Sequence, residues 1–298
     1  MRKNLHKILV TGSNGFVGTE LCQELRSAGY AYLGSVRNSE KAVAGQEYVV
    51  VDSLDSGTDW RVALAGCDTV VHLAGRAHVL NDNVADPSAV FRAINTLGTL
   101  NLAEQAAEYG ISRFIFLSSI GVNGAVTSGL PFTPNDPPFP HSPYAVSKLE
   151  AEIGLRKIGE RTNLEVVIIR APAIYGENAP GNFGLIARFV KYGIPLPVGS
   201  ICNSRSLVAI KNLVNFITLC IEHQKAANEL FLVSDNEDLS TIEVVKLMGK
   251  LVGKKPKIVK FSLRLLWFIF KCLGKHKAGE SLMADLQLDS DLCWELLE

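Results

Sequence analysis

Tyr144 and Lys148 are the residues whose types and spacing most directly imply chemistry in this chain of 298 residues. Four apart on a helix, they share a face, with Lys148 one turn above Tyr144. An ammonium beside a phenol favours the phenolate and lowers its pKa. Such a pair can take or give one proton at a carbonyl or carbinol oxygen near neutral pH. Upstream, the apolar run Arg113–Ser118 (RFIFLS) leads into a Ser118-Ser119 pair, and a hydroxyl there can hydrogen bond the same oxygen. An isolated Tyr-x3-Lys also describes two surface residues of an ordinary helix, so its place in the chain must decide.

The second chemical feature is Thr11-Gly12-Ser13-Asn14-Gly15-Phe16-Val17-Gly18, between a short apolar run and a helical pattern. Gly12 permits a tight turn, Gly15 lets the backbone approach a pyrophosphate, and Gly18 allows close helix–strand packing. The helix N-terminus then favours the anion. Against a plain glycine-rich turn, the readable strand before and helix after point to a dinucleotide. The next strand ends Gly34-Ser35-Val36-Arg37-Asn38 without an acid. Arg37 suits a 2′-phosphate, so NADP(H) is favoured over NAD(H), unless Arg37 is only a solvated surface residue. Asp52, at the end of the third strand, is placed to accept from an adenine amino group or to form a strand-end turn.

These residues need a scaffold, and the sequence supplies one. Lys7–Thr11, Ala31–Val36, Tyr48–Asp52, Thr69–Leu73, Arg113–Ser118 and Glu165–Arg170 read as strands. Phe16–Ala28, Val90–Tyr109 and Tyr144–Gly159 read as helices between them, with a short one at Trp60–Leu64. Apolar strands alternating with helices imply an α/β fold, a doubly wound parallel sheet with helices on both faces. Six of the twelve prolines fall within Ser128–Pro143, an irregular loop just before Tyr144. Beyond Arg170 the alternation loosens into a smaller, mostly helical substrate-binding domain. The expected division is 1–172 with 207–233 for the cofactor, and 173–206 with 234–298 for the substrate.

Composition narrows the partners. Lys plus Arg and Asp plus Glu are 30 each, which argues against nucleic acid as a main partner and against disorder. Six cysteines form no CxxC pair and show no metal-ligand spacing, so no metal is expected and small buried thiols in a reducing compartment are. No signal-peptide core or run of about 20 apolar residues occurs, and a cytoplasmic location is the expectation. One segment stands apart: Leu263–Leu273 (LRLLWFIFKCL), flanked by Lys257, Lys260, Lys271, Lys275 and Lys277. It reads as a helix packed in the substrate domain, or as one peripheral to the inner face of a membrane.

The loop spacing Thr11-Gly12-x2-Gly15-Phe16-x-Gly18 resembles the signature TGxxGFxG of extended short-chain dehydrogenase/reductases, the NAD-dependent epimerase/dehydratase kind with a Rossmann domain. Tyr144-x3-Lys148 in its place after the fifth strand strengthens the resemblance. The family's hydroxyl lies five residues before a glycine element, here Val122-Asn123-Gly124, which implies Ser119 over Ser118 in catalysis. Leu73-Ala74-Gly75 resembles the cofactor-lining loop, and Asn95 matches a helix Asn of the family. Arg170-Ala-Pro172-Ala-Ile-Tyr175-Gly176 resembles the loop beside the nicotinamide. The resemblance thus implies cofactor contacts at Leu73, Ala74, Gly75, Asn95, Ser118, Tyr144, Lys148 and Pro172. It also implies that Asn182 and Arg205 grip a UDP-sugar diphosphate, with His78 a candidate contact, and that the helix pair 90–109 and 144–159 forms a homodimer.

Within that family, dehydratases carry Asp-Glu after the catalytic hydroxyl. Ile120-Gly121 stand here and cannot transfer protons. A hydride and one proton remain, as in a 4-keto reductase or a 4-epimerase. His72–Asp82, Gly193–Gly199, Arg205–Val208 and Leu232–Thr241 look like UDP-N-acetylquinovosamine dehydrogenases. The first expectation is therefore reduction of a UDP-4-keto-6-deoxy-N-acetylhexosamine in bacterial surface polysaccharide synthesis. A UDP-hexose 4-epimerase is the alternative, and a non-catalytic NADP-binding protein the third.

Overall fold

The computed structural model describes residues 7–41, 45–77, 85–274 and 276–297. Its strands are apolar on both faces because both faces are covered. Leu9, Val70, Phe114, Phe116 and Ile168 point one way, into a core with Leu102, Ala103, Ala151, Leu155 and Ile158. Their neighbours Ile8, Val10, Val71, Ile115, Val167 and Ile169 point the other way, against Leu21, Leu25, Leu213, Phe216 and Ile217. Period-2 alternation places successive side chains on opposite faces, so a continuous apolar run fills two cores at once.

The elements follow in order: β1 (Lys7–Thr11), α1 (Phe16–Ser27), β2 (Ala31–Val36), β3 (Tyr48–Val50), α2 (Arg61–Leu64), β4 (Thr69–His72) and α3 (Pro87–Phe91). A wider π-helical stretch, Arg92–Gly98, joins α3 to α4 (Thr99–Glu108). Then come β5 (Arg113–Ser119), α5 (Pro143–Arg161), β6 (Glu165–Ala171), β7 (Ala173–Tyr175), α6 (Gly181–Lys191), β8 (Arg205–Ala209), α7 (Ile210–Glu222) and β9 (Leu230–Leu232). The chain closes with β10 (Asp238–Leu239), α8 (Thr241–Val252), α9 (Leu263–Cys272), α10 (His276–Met283) and α11 (Asp291–Leu297). The main sheet has seven parallel strands in the order β3-β2-β1-β4-β5-β6-β9. The strand order reverses between β1 and β4, and ligands of such sheets bind at the carboxyl ends beside that point.

Three features go beyond what the residue pattern marks. The helix expected over Val90–Tyr109 contains the π-helical stretch, which the residue pattern alone does not mark. β8 does not enter the main sheet but pairs with β7 and β10 in a small second one. The C-terminal helix α11 returns to the core under α7, which Cys293 and Leu296 join. A separate core gathers Val190, Leu196, Val198, Ile201, Val245 and Leu266. Cys22, Cys67, Cys220 and Cys293 are buried, Cys202 and Cys272 are exposed, and all six are free thiols. Among the described residues no helix is long and apolar enough to cross a membrane.

Candidate active site

The glycine loop turns directly out of β1. Gly12 has φ of 66°, a left-handed conformation that favours glycine. A Cβ there would lie 3.0 Å from the backbone of Ala74, and one on Gly18 only 2.2 Å from the Gly12 carbonyl. The loop is therefore compressed against both α1 and the segment after β4, leaving a cradle of backbone at the N-terminus of α1. Gly15 is the N-cap residue of α1, and no side chain caps that end, so its first amides stay open to an anion. Asn14 is exposed in the turn, and Phe16 and Val17 begin the helix and border its core. These features fit a dinucleotide pyrophosphate.

One hydrogen-bond chain ties this cradle to the neighbouring loop. The Thr99 hydroxyl donates to the Asn95 carbonyl at 2.7 Å, so its oxygen accepts from His72 Nε2 at 2.9 Å. His72 Nδ1 then accepts from the Thr11 hydroxyl at 2.7 Å. Thr11 Oγ1 in turn accepts from the backbone amides of Leu73 and Ala74, at 3.2 and 3.1 Å. His72 is fully buried, and burial together with the Lys148 charge pushes its pKa down to about 3. It stays neutral and holds Leu73-Ala74-Gly75 against the glycine turn.

Asn95 does related work. Its side chain accepts from the Arg76 amide at 2.7 Å and donates to the Arg76 carbonyl at 3.0 Å and to Ser147 Oγ at 3.1 Å. Through these bonds Asn95 fixes the loop after β4 against α5.

Tyr144 sits in the first turn of α5, which Ser142 caps through a bond from the Ala145 amide at 3.2 Å. Its ring meets Phe91 edge-on, with centroids 6.0 Å apart. Burial pushes its pKa up to about 12, and a hydrogen bond with the Ser119 side chain works the other way. The lowering expected from Lys148 is therefore not what dominates. Lys148 Nζ lies 6.0 Å from the Tyr144 centroid and donates to the Leu117 carbonyl at 2.9 Å. Burial also pulls Lys148 itself down to about 8, while the Glu152 carboxylate raises it.

Ser118 and Ser119 alternate across β5. Ser119 Oγ accepts from the Gly121 amide at 3.1 Å and is the hydroxyl beside Tyr144. Ser118 is buried and donates to Glu152, which commits its hydroxyl away from Tyr144. Glu152 in turn holds Arg170, with Nη2 to Oε2 at 2.6 Å and both groups nearly inaccessible. Arg170 Nη1 also donates to Asn123 Oδ1 at 2.8 Å. His72, Glu152, Arg170 and His141 complete the site beyond the residues that the motifs mark. Glu152 was legible as the i+4 neighbour of Lys148. The His141 ring lies 3.3 Å from a Cβ built on Gly121 and so borders Ser119.

The other candidates lie on several elements. Pro172 is buried between β6 and β7, and Asn182 is exposed in the first turn of α6. Arg37 is exposed just beyond β2, and Asp52 is exposed beyond β3, which ends at Val50. Arg205 Nη1 donates to the carbonyls of Ser281 and Ala284, at 2.5 and 3.0 Å. That amino group ties β8 to the C-terminal end of α10. His78 lies outside the described residues.

Residues 8–234 match the model of the NAD dependent epimerase/dehydratase family. The chain is 42% identical over 291 residues to a UDP-glucose 4-epimerase of Vibrio cholerae, covering 97% of this chain and 88% of that one. It is 30% identical over 253 residues to an N-acetyl-alpha-D-glucosaminyl-diphospho-ditrans,octacis-undecaprenol 4-epimerase of Escherichia coli O157:H7, covering 83% and 73%. The fold matches that of the UDP-glucose 4-epimerase of Thermus thermophilus in complex with NAD, with a TM-score of 0.77 at 24% identity over 98% and 92% of the chains. A pyrophosphate cradle at the sheet's reversal point, a Ser119–Tyr144–Lys148 cluster beside it and these likenesses lead to one conclusion: the chain belongs to the NAD dependent epimerase/dehydratase family of enzymes.

Proposed function

We propose that this enzyme is a UDP-hexose 4-epimerase using NAD(H). The likeness at 42% identity to the Vibrio cholerae UDP-glucose 4-epimerase, over nearly the whole chain, carries this reading. The site agrees with it chemically. Tyr144 can take one proton and return it, and Ile120-Gly121 supply no acid/base pair for eliminating water. The likeness favours epimerisation over the keto-sugar reduction that the sequence put first.

A bound nicotinamide cofactor would supply reversible hydride exchange at sugar C4. Gly12, Gly15 and Gly18 would hold its pyrophosphate, with Leu73-Ala74-Gly75 and Lys148 alongside. Tyr144 removes the proton of the C4 hydroxyl and returns it to the same oxygen once the sugar has turned over. The Ser119 hydroxyl, hydrogen bonded to Tyr144, and the Lys148 ammonium both favour the phenolate during that cycle. Arg37 marks where NADP(H) would be admitted instead. A cytoplasmic homodimer joined through α5 completes the reading, since Val146 and Ile153 leave an apolar stripe exposed there.

The test is to incubate the enzyme with catalytic NAD+ and UDP-glucose or UDP-N-acetylglucosamine and follow the sugar by proton NMR. The expected result is the galacto epimer with no net change in cofactor. Stoichiometric oxidation of NADPH by a UDP-4-keto-6-deoxy sugar, without epimerisation, would replace the reading by reduction. Turnover only of a polyprenyl-diphosphate sugar would move the substrate to the carrier in the Escherichia coli relative's name.

A further inference from the structure

Helix α9 is apolar around most of its circumference, and only one side of it is used. Leu266 is buried, and Phe270, one turn on, packs with it on the substrate-domain core. Opposite them, Leu265, Phe268, Ile269 and Cys272 fall at i, i+3, i+4 and i+7, which is a single stripe. That stripe faces solvent: Leu265 is 48% exposed, Phe268 58% and Ile269 39%, and Cys272 is exposed too. Trp267 is 44% exposed at its flank, with Lys271 Nζ 5.1 Å from its ring centroid. A contiguous apolar patch of this kind on a soluble surface marks an interaction site.

Charge says which partner fits. Between Lys254 and Gly279 stand eight Lys or Arg and no Asp or Glu. The rest of this electrically neutral chain therefore carries 30 acidic residues against 22 basic ones. Lys255, Lys257 and Lys260, on the segment leading into α9, are exposed, as are Arg264 and Lys271 on α9 itself. A second copy docking here would bring two like-charged segments together, which is costly. An anionic, apolar-cored layer meets both features: acyl chains take the stripe, headgroups take the cations, and Trp and Lys side chains suit the boundary. With ten residues the helix is too short to cross a bilayer, so it would lie in the plane of the interface.

We infer that the exposed face of α9 is a docking surface for an anionic lipid membrane, seating the enzyme peripherally through its substrate domain. The inference does not depend on which sugar reaction the site performs.

The full-length protein is sedimented with vesicles of phosphatidylcholine containing about a third phosphatidylglycerol, and with phosphatidylcholine alone. Partitioning into the first and not the second, weakened by salt, is expected. The double variant Phe268→Ser/Ile269→Ser should partition at least about tenfold less. Lys257→Gln/Lys260→Gln/Lys271→Gln should lose about tenfold to a hundredfold. Both should keep wild-type cofactor binding and thermal stability. In the unaltered protein, Trp267 fluorescence should shift to the blue on anionic vesicles and Trp267→Phe should abolish the shift, a readout that needs no variant in the stripe. No partitioning onto anionic vesicles would overturn the proposal, as would partitioning unaffected by Phe268→Ser/Ile269→Ser, which is plain polyanion binding. Self-association that those serines abolish, without vesicle binding, would assign the face to a protein contact instead.

Discussion

Replacing Glu152 by Gln should be among the most damaging single changes outside the reacting groups, and its size can be worked from the buried pair. Arg170 reaches the carboxylate through Nε at 3.0 and 3.2 Å and Nη2 at 2.6 Å, and Ser118 donates to the same group. The side chains are 5% and 3% exposed, so water cannot replace the lost charge. Breaking such a pair on one side leaves an uncompensated cation and costs about 3–5 kcal/mol. At about 2 °C per kcal/mol for a chain of this size, the midpoint of thermal unfolding falls by about 6–10 °C. Circular dichroism on the cofactor-free protein measures it. Replacing both partners by Met removes the orphaned charge, so Glu152→Met/Arg170→Met should recover about half of the loss. It should remain about 2 kcal/mol below wild type, because Ser118 and Asn123 lose their partners. The single variant carries a functional signature too. Glu152 holds up the Lys148 pKa, so the alkaline limb of activity should move to lower pH. A midpoint lowered by under about 2 °C, or a double variant worse than the single, would refute the reasoning.

Tyr144→Phe should lower turnover by about 10²–10⁴-fold while isothermal titration shows cofactor binding retained, since the change removes one oxygen. Lys148 is held at about 8 by burial, and keeping its ammonium there costs about 3 kcal/mol at neutral pH. Below pH 8 both folded and unfolded states are protonated and the cost is whole; it fades as pH rises to 10.5. Lys148→Met should therefore be inactive yet melt about 6 °C higher at pH 7, the two proteins converging in melting temperature near pH 10.5. His72, at about 3 when folded and 6.5 when unfolded, binds its proton only on unfolding. Stability should fall by about 2 kcal/mol between pH 6.5 and 5, measured by urea titration, and His72→Gln should lack that component.

Much of this was legible because the strands are buried on both faces. Runs such as Val166–Ile169 carry no polar residue, so they could only be internal strands, and the glycine loop and Tyr144-x3-Lys148 fall where strand–helix alternation puts them. The unreadable parts depend on distant partners. Nothing local in Arg92–Gly98 signals a π-helical stretch; it forms where Asn95 and Thr96 meet α5, through the Ser147 hydroxyl and carbonyl. Nothing near Arg205 in sequence signals that it also caps the carbonyls of residues 281 and 284. Glu152 lay in view one turn beyond Lys148, yet only β6 supplies the arginine that explains it.

The two unanticipated networks meet at Lys148. On one side is His72, whose imidazole stacks on Phe116 at 5.9 Å and 16°. On the other is Glu152, already neutralised by Arg170. Lys148 Nζ lies 4.4 Å from the Phe116 centroid and donates to the Leu117 carbonyl, so its ammonium is shared between a ring face and a carbonyl. A second cation at His72 could not be tolerated there. The Thr11 and Thr99 hydroxyls exclude it by fixing a tautomer in which Nδ1 accepts and Nε2 donates. The residues that close the cofactor cradle are thus the ones that keep the neighbour of Lys148 uncharged, so cradle geometry and the charge beside Tyr144 are two consequences of one hydrogen-bond chain.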